Sequence, residues 1–145
     1  MKRIFIDSSV LFSAAYSSKG HSRDLILMAA RGEINLVLSQ FVLTETRRNL
    51  AEEAPDAVVW LELLLITLPY ELVRPSKEEV LESAIHVALK DAPIVAAARK
   101  AKVDLLVTMD QKHLLGKPEL ANYAGVEIVT PKEAVAILRS ITRST

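Results

Sequence analysis

The chain has no cysteine, only four glycines, and 5% aromatic residues. Without cysteine there are no disulfides, no thiolate nucleophile and no Cys-based zinc site. The few glycines form neither a Gly-x-Gly-x-x-Gly dinucleotide motif nor a Gly-rich loop with Lys-Ser or Lys-Thr for a nucleoside triphosphate. Charge of one sign is also lacking, since 18 basic residues balance 18 acidic ones. A protein that grips a polyanion through bulk charge is usually basic. Bound metal or a local basic patch must supply any such attraction here. Long hydrophobic runs are missing too. The most apolar stretch, Ala57 to Leu72, is broken by Glu62, Pro69 and Glu71, short of the roughly 18 uninterrupted residues of a membrane span. Met1-Lys2-Arg3 leads into only a few apolar residues before Asp7, so no signal peptide is visible. The expectation is a soluble, cytoplasmic protein with no membrane partner.

Half of the 145 residues are hydrophobic, enough for one sizeable core and one domain spanning 1–145. Short aliphatic runs alternate with helical stretches. Arg3-Ile4-Phe5-Ile6, Ile34 to Leu38, Glu71-Leu72-Val73, Asp104 to Thr108 and Val126 to Val129 read as strands. Ser39 is placed to cap the helix after the second strand. Ser76 and Glu79 stand at capping-box spacing, with Leu81, Ala84, Ile85 and Ala88 following at helical period. A second such box opens the last helix at Thr130-Pro131-Lys132-Glu133. Strands alternating with helices imply an α/β fold with a mostly parallel sheet covered on both faces. In such sheets ligands bind beyond the carboxyl ends of the strands, where strand order reverses.

Asp7 and Asp110 follow the first and fourth strands. A carboxylate at the end of a buried strand is costly unless something cationic or hydrogen-bonding satisfies it. Either aspartate also has a plain use as a cap, Asp7 for the next helix and Asp110 for Gln111 to Leu114. Asp91 precedes Ala92-Pro93, and Pro93 is suited to open a helix through Ala101. Ala92, lying before proline, is biased away from helical geometry. The helix dipole alone accounts for an aspartate at that point. Glu45 lies in the second turn of its helix, away from the face defined by Leu43 and Leu50. Spacing alone makes it a solvated glutamate near Arg48 or Asn49.

If these acids converge, their repulsion is relieved by protonation or by a divalent cation. All-oxygen ligation suits Mg²⁺ or Mn²⁺, which also bind phosphate oxygens. Such a cation turns an acidic pocket into a phosphate site, which answers the zero net charge.

The segments Ile4-Phe5-Ile6-Asp7-Ser8-Ser9-Val10-Leu11, Asp91-Ala92-Pro93-Ile94-Val95-Ala96-Ala97-Ala98 and Leu105-Leu106-Val107-Thr108-Met109-Asp110, with Glu45 between, resemble the PIN-domain family, which includes the VapC-type toxins. The similarity spans nearly the whole chain. It implies a three-layer α/β/α sandwich with a five-stranded sheet ordered 3-2-1-4-5, bringing Asp7 and Asp110 together. It also implies an Mg²⁺- or Mn²⁺-dependent endoribonuclease that hydrolyses single-stranded or structured RNA. Asp7, Glu45, Asp91 and Asp110 would be its metal-binding and catalytic carboxylates, with Ser9 and Thr108 as supporting polar groups. An antitoxin protein and a second copy of the chain, as a homodimer, are the implied protein partners.

Two rivals remain. One is a non-catalytic PIN-like module that binds RNA or protein. The other is a small-molecule phosphatase of the haloacid-dehalogenase type, although that chemistry wants an aspartate where Ser9 stands. His21, His86 and His113 have no metal-ligand spacing, and His86, four residues after Glu82, reads as lying on a solvated helix face. His113 is close enough behind Asp110 to touch substrate, but position alone does not favour that. Arg47, Arg48, Lys100, Lys102, Lys112 and Lys117 read as solvated charges. The apolar helix around Trp60, Leu61, Leu63, Leu64 and Leu65 reads first as core and second as a dimer or partner surface.

Overall fold

Ile4, Phe5 and Ile6 have no exposed surface, because their strand lies at the centre of the sheet with a neighbour on each side. This strand, β1 (Arg3–Ile6), pairs in parallel with β2 (Asn35–Ser39) and β4 (Leu105–Val107). Ile4 registers with Leu36 on one side and Leu105 on the other; Phe5 registers with Val37 and Leu106. The edges are β3 (Glu71–Val73), paired with β2, and β5 (Glu127–Val129), paired with β4. All pairings are parallel and the order is β3-β2-β1-β4-β5. The computed structural model describes residues 1–144, with side-chain surroundings given through residue 141.

The helices are α1 (Ser8–Tyr16), α2 (His21–Ala30), α3 (Gln40–Glu53), α4 (Val58–Thr67), α5 (Lys77–Ser83), α6 (Ala92–Ala101), α7 (Pro118–Ala124) and α8 (Pro131–Ser144). From β1 the chain steps outward to β2 and β3, then returns past β1 to β4 and β5. Parallel crossovers are right-handed, so reversing the direction moves the connecting helices to the opposite face. The packing follows: α1 lies against α2, α3 and α4, and α2 against α8, whereas α6 lies between α5 and α7. The result is the expected α/β sandwich, with its switch point between β1 and β4.

The caps fall where the sequence puts them. Ser39 accepts from the Val42 N–H at 3.2 Å. Ser76 with Glu79 and Thr130 with Glu133 each exchange reciprocal hydrogen bonds of 2.8–3.1 Å. Among the described residues no helix is long and apolar enough to cross a membrane.

Four local readings need correction. The helical period from Leu81 to Ala88 does not continue as helix: α5 ends at Ser83, and Leu81 and Ile85 are exposed. The stripe therefore has no layer to pack against. His86 consequently lies outside any helix, and its ring stacks on Tyr123. Ala92 is fully helical (φ −58°, ψ −39°) despite preceding Pro93, because a 3-10 turn at Leu89–Asp91 runs straight into α6. Helix α4 is core on one face only: Leu61 is buried and Leu64 and Leu65 pack against the core, but Val59, Trp60, Leu63 and Ile66 are exposed. It packs mainly on α1, α3 and the turn before it, and its other side stays exposed among the described residues.

Candidate active site

Asp7 ends β1 and caps α1, accepting from the Val10 N–H at 3.3 Å. Its Oδ1 also accepts from the Ser9 hydroxyl at 2.5 Å, and its Oδ2 from the Thr108 hydroxyl. Only 6% of the residue is exposed, and it forms no ion pair among the described residues. Burial without a counter-charge raises its pKa above the ordinary carboxylate range, outweighing the hydrogen bonds from Ser9, Thr108 and Val10 that oppose the shift.

Thr108 links the two strand ends. Fully buried just past β4, it donates to Asp7 and accepts the Asp110 N–H at 3.0 Å. The Ser9 hydroxyl likewise accepts the Met109 N–H at 3.3 Å. Both residues thereby tie the loop after β4 to the start of α1. Asp110 turns that loop, its Oδ1 accepting the Lys112 and His113 N–H groups at 3.0 Å. The cap suggested by sequence is real, but it occupies only one carboxylate oxygen. The other, Oδ2, lies 3.5 Å from His113 Nδ1.

Asp91 sits at the mouth of α6 without making a side-chain cap. Its Oδ2 is buried with no hydrogen-bond partner, and His113 Nδ1 lies 3.6 Å from it. Desolvation chiefly raises its pKa, followed by the Asp110 charge and, more weakly, that of Glu45; Lys90 and His113 pull the other way. One ligand atom each from Asp91, Asp110 and His113 lies within 4.8 Å of the others.

Glu45 is partly buried rather than solvated. The Ser8 hydroxyl donates to its Oε1, and Arg48 is 3.8 Å from its Oε2. Spacing foresaw Arg48 but not Ser8. The buried side of α3 comprises Val42, Leu43, Thr46 and Leu50, wider than Leu43 and Leu50 suggest. The helix packs on α1 as well as on β2, which turns Glu45 toward Ser8.

The structure thus brings together Asp91 and Asp110, with His113. Asp7 is joined to Asp110 only through the Thr108 hydroxyl. Glu45 bonds Ser8 next to Asp7, and its charge reaches Asp91 weakly. Neither Asp7 nor Glu45 belongs to the close group of ligand atoms. His113 is the participant that sequence reasoning set aside. Its signal was the three-residue step from Asp110, which lets its backbone N–H hold one carboxylate oxygen while the ring faces the other.

The donor set fits a hard divalent cation. A buried Asp7 without a counter-charge and an unpartnered Asp91 Oδ2 are what such an ion would satisfy, and oxygen donors dominate. Thr108→Val keeps the shape but removes the donor to Asp7 and the acceptor for Asp110. We expect a stability loss of about 1–3 kcal/mol and a weaker cation response in a thermal melt, with Thr108→Ser restoring both. An unchanged cation response in Thr108→Val would show that the link is not used.

A family profile described as PIN domain matches residues 3–112. Solved structures similar to this chain include PAE2754 from Pyrobaculum aerophilum, at 16% identity over 96% of each chain with TM-score 0.66. Another is VapBC2 from Rickettsia felis bound to a DNA fragment from their promoter, at 12% identity over 88% of this chain and 98% of that one, TM-score 0.60. No curated protein matches the chain. The two solved structures agree with the fold, and the profile, which takes in β1, α3, α6 and the loop carrying Asp110, identifies it: the chain belongs to the PIN domain family.

Proposed function

We propose that this chain is a single-domain, Mg²⁺- or Mn²⁺-dependent endoribonuclease in which Asp7, Glu45, Asp91 and Asp110 hold the cation. The observation that carries this reading is at the switch point: Asp7 is buried with no ion pair among the described residues, and partly buried Asp91 turns a buried, unpartnered Oδ2 toward Asp110. When bound, the cation polarises a phosphodiester and makes water a stronger acid at neutral pH. The chain's own contribution is positioning. Ser9 and Thr108 orient Asp7, the turn at Lys112 and His113 fixes one oxygen of Asp110, and Ser8 restrains Glu45. Fixed carboxylates need little reorganisation when the phosphate enters. Membership of the PIN domain family supports nuclease chemistry, and the fold shared with VapBC2 supports a toxin role with an antitoxin protein as partner.

The test is incubation with single-stranded RNA and Mg²⁺ or Mn²⁺, beside EDTA and Asp7→Asn controls. Cleavage lost in both controls is the expected result. Binding without cleavage would instead mark a non-catalytic module, and hydrolysis of a phosphomonoester with RNA untouched would mark a phosphatase.

The exposed Val59, Trp60, Leu63 and Ile66 on α4 support a homodimer through that face. Light scattering should then give twice the chain mass for the wild type and the single-chain mass for Trp60→Glu. A monomeric wild type would remove the homodimer from this account.

A further inference from the structure

Beside the acidic cluster lies a cavity of about 410 Å³, within the range of small-ligand sites. Its lining includes His86, Val87, Lys112, His113, Lys117 and Leu120. His113 belongs to both places: its Nδ1 lies 3.6 Å from Asp91 and 3.5 Å from Asp110, and the residue also lines the cavity. Whatever fills the cavity therefore lies one side chain away from the proposed cation.

The wall has the chemistry of a nucleotide. His86 is exposed, yet its ring lies on Tyr123 at 3.8 Å between centroids and 21° between planes. Tyr123 is itself fixed, with its hydroxyl 3.1 Å from Ser83 Oγ and the Arg99 guanidinium 4.7 Å from its ring centroid. The imidazole is thus a flat surface already held in place, with one face on Tyr123, and His86 is exposed and lines the cavity. Leu120, buried, and Val87 add apolar surface. Neither Lys112 nor Lys117 forms an ion pair among the described residues. The lining also holds one carboxylate, Glu119, which offsets one of the two ammonium groups, so the positive excess at the cavity is a single lysine's in a chain of zero net charge. A pre-placed aromatic ring for a base and loose cations for the flanking phosphates are how single strands are held without base pairing.

We propose that this cavity is a subsite for one nucleotide of single-stranded RNA adjoining the bond to be cut, a reading that rests on the nuclease function above. His86 stacks on the base and Lys112 and Lys117 contact the backbone. The subsite makes His86 a determinant of which sites are cut, and the lysines determinants of affinity.

Two measurements test it together. One is kinetics and end-sequencing on a random-sequence RNA pool; the other is fluorescence anisotropy with a labelled single-stranded 2′-O-methyl RNA. His86→Ala should raise KM about tenfold with kcat moved far less, and should flatten base preference at one position next to the cut. His86→Tyr, which retains an aromatic surface, should recover most of both. Lys117→Ala should weaken anisotropy binding across all sequences and reduce its salt dependence. The subsite is overturned if the wild type cleaves RNA while His86→Ala and Lys117→Ala keep its KM, binding and base preference. If the wild type binds without cleaving and both variants bind more weakly, the subsite stands and the nuclease reading falls. A wild type that neither binds nor cleaves overturns both.

Discussion

Asp7→Asn should lower metal-dependent RNA cleavage by at least about 100-fold, the scale seen when one preorganised electrostatic contact is removed from an active site. The fold should survive the change. Asn matches Asp in shape and keeps one carbonyl oxygen for the Val10 N–H and the Ser9 hydroxyl. It places an amide where Thr108 donates, which costs about one hydrogen bond, on the order of 1 kcal/mol. Against that loss, it removes a charge whose burial is already unfavourable. At neutral pH without metal, the melting temperature of Asp7→Asn should lie within a few degrees of wild type, or above it. Kinetics and a thermal melt on one preparation check both halves. An inactive variant that has also unfolded would say nothing of catalysis, so Asp110→Asn, at a less buried position, is the companion.

The second large effect is on stability. Adding Mg²⁺ or Mn²⁺ at about 100 times its dissociation constant should stabilise the fold by about 2.7 kcal/mol, roughly 5–10 °C for a domain of this size. Asp91→Asn should abolish most of that gain. The metal-free protein should also show the cost of the site through pH. Asp7 and Asp91 titrate above the ordinary carboxylate range, burial being the main cause in both, with the Asp110 charge second at Asp91. A carboxyl whose pKa is higher folded than unfolded binds more protons in the native state. Its contribution to stability therefore falls as pH rises from the unfolded value of about 3.9 through the raised folded value, and is then fully unfavourable. Glu71, Glu79 and Glu133 run the opposite way. Their pKa values are lowered by Arg3, by Ser76 and by Thr130 respectively, so they stabilise above the unfolded value and lose that as pH falls. The difference between wild type and Asp91→Asn isolates the site from this background. It should widen in favour of the variant as pH rises, and reverse when the cation is present.

What could be read from the chain itself follows from periodicity. The strands are short apolar runs, and β1 and β4, which the aspartates follow, are almost wholly buried, so their positions and the aspartates at their ends were legible, as were Ser39, Ser76 and Thr130 as caps. Asp91 was legible through Pro93, which marks a helix start.

Glu45 was not legible from spacing because Thr46, a polar residue, occupies a buried position beside Val42 and Leu50. A polar residue inside breaks the apolar stripe from which a helix face is inferred. His113 was missed because its placement comes from a turn rather than from a periodic element. The Trp60 helix was read correctly at Leu61, Leu64 and Leu65 but not at Trp60 and Leu63, because hydrophobicity reports a preference for burial but not what does the burying. Its exposed Trp60 and Ile66 leave that role to another surface.

The central claim is tested most directly by soaking crystals with Mn²⁺ and recording its anomalous signal. The account predicts a peak among the carboxylates of Asp7, Glu45, Asp91 and Asp110 that disappears in Asp91→Asn. Mn²⁺ bound with equal occupancy in that variant, or bound only away from these four residues, would contradict it.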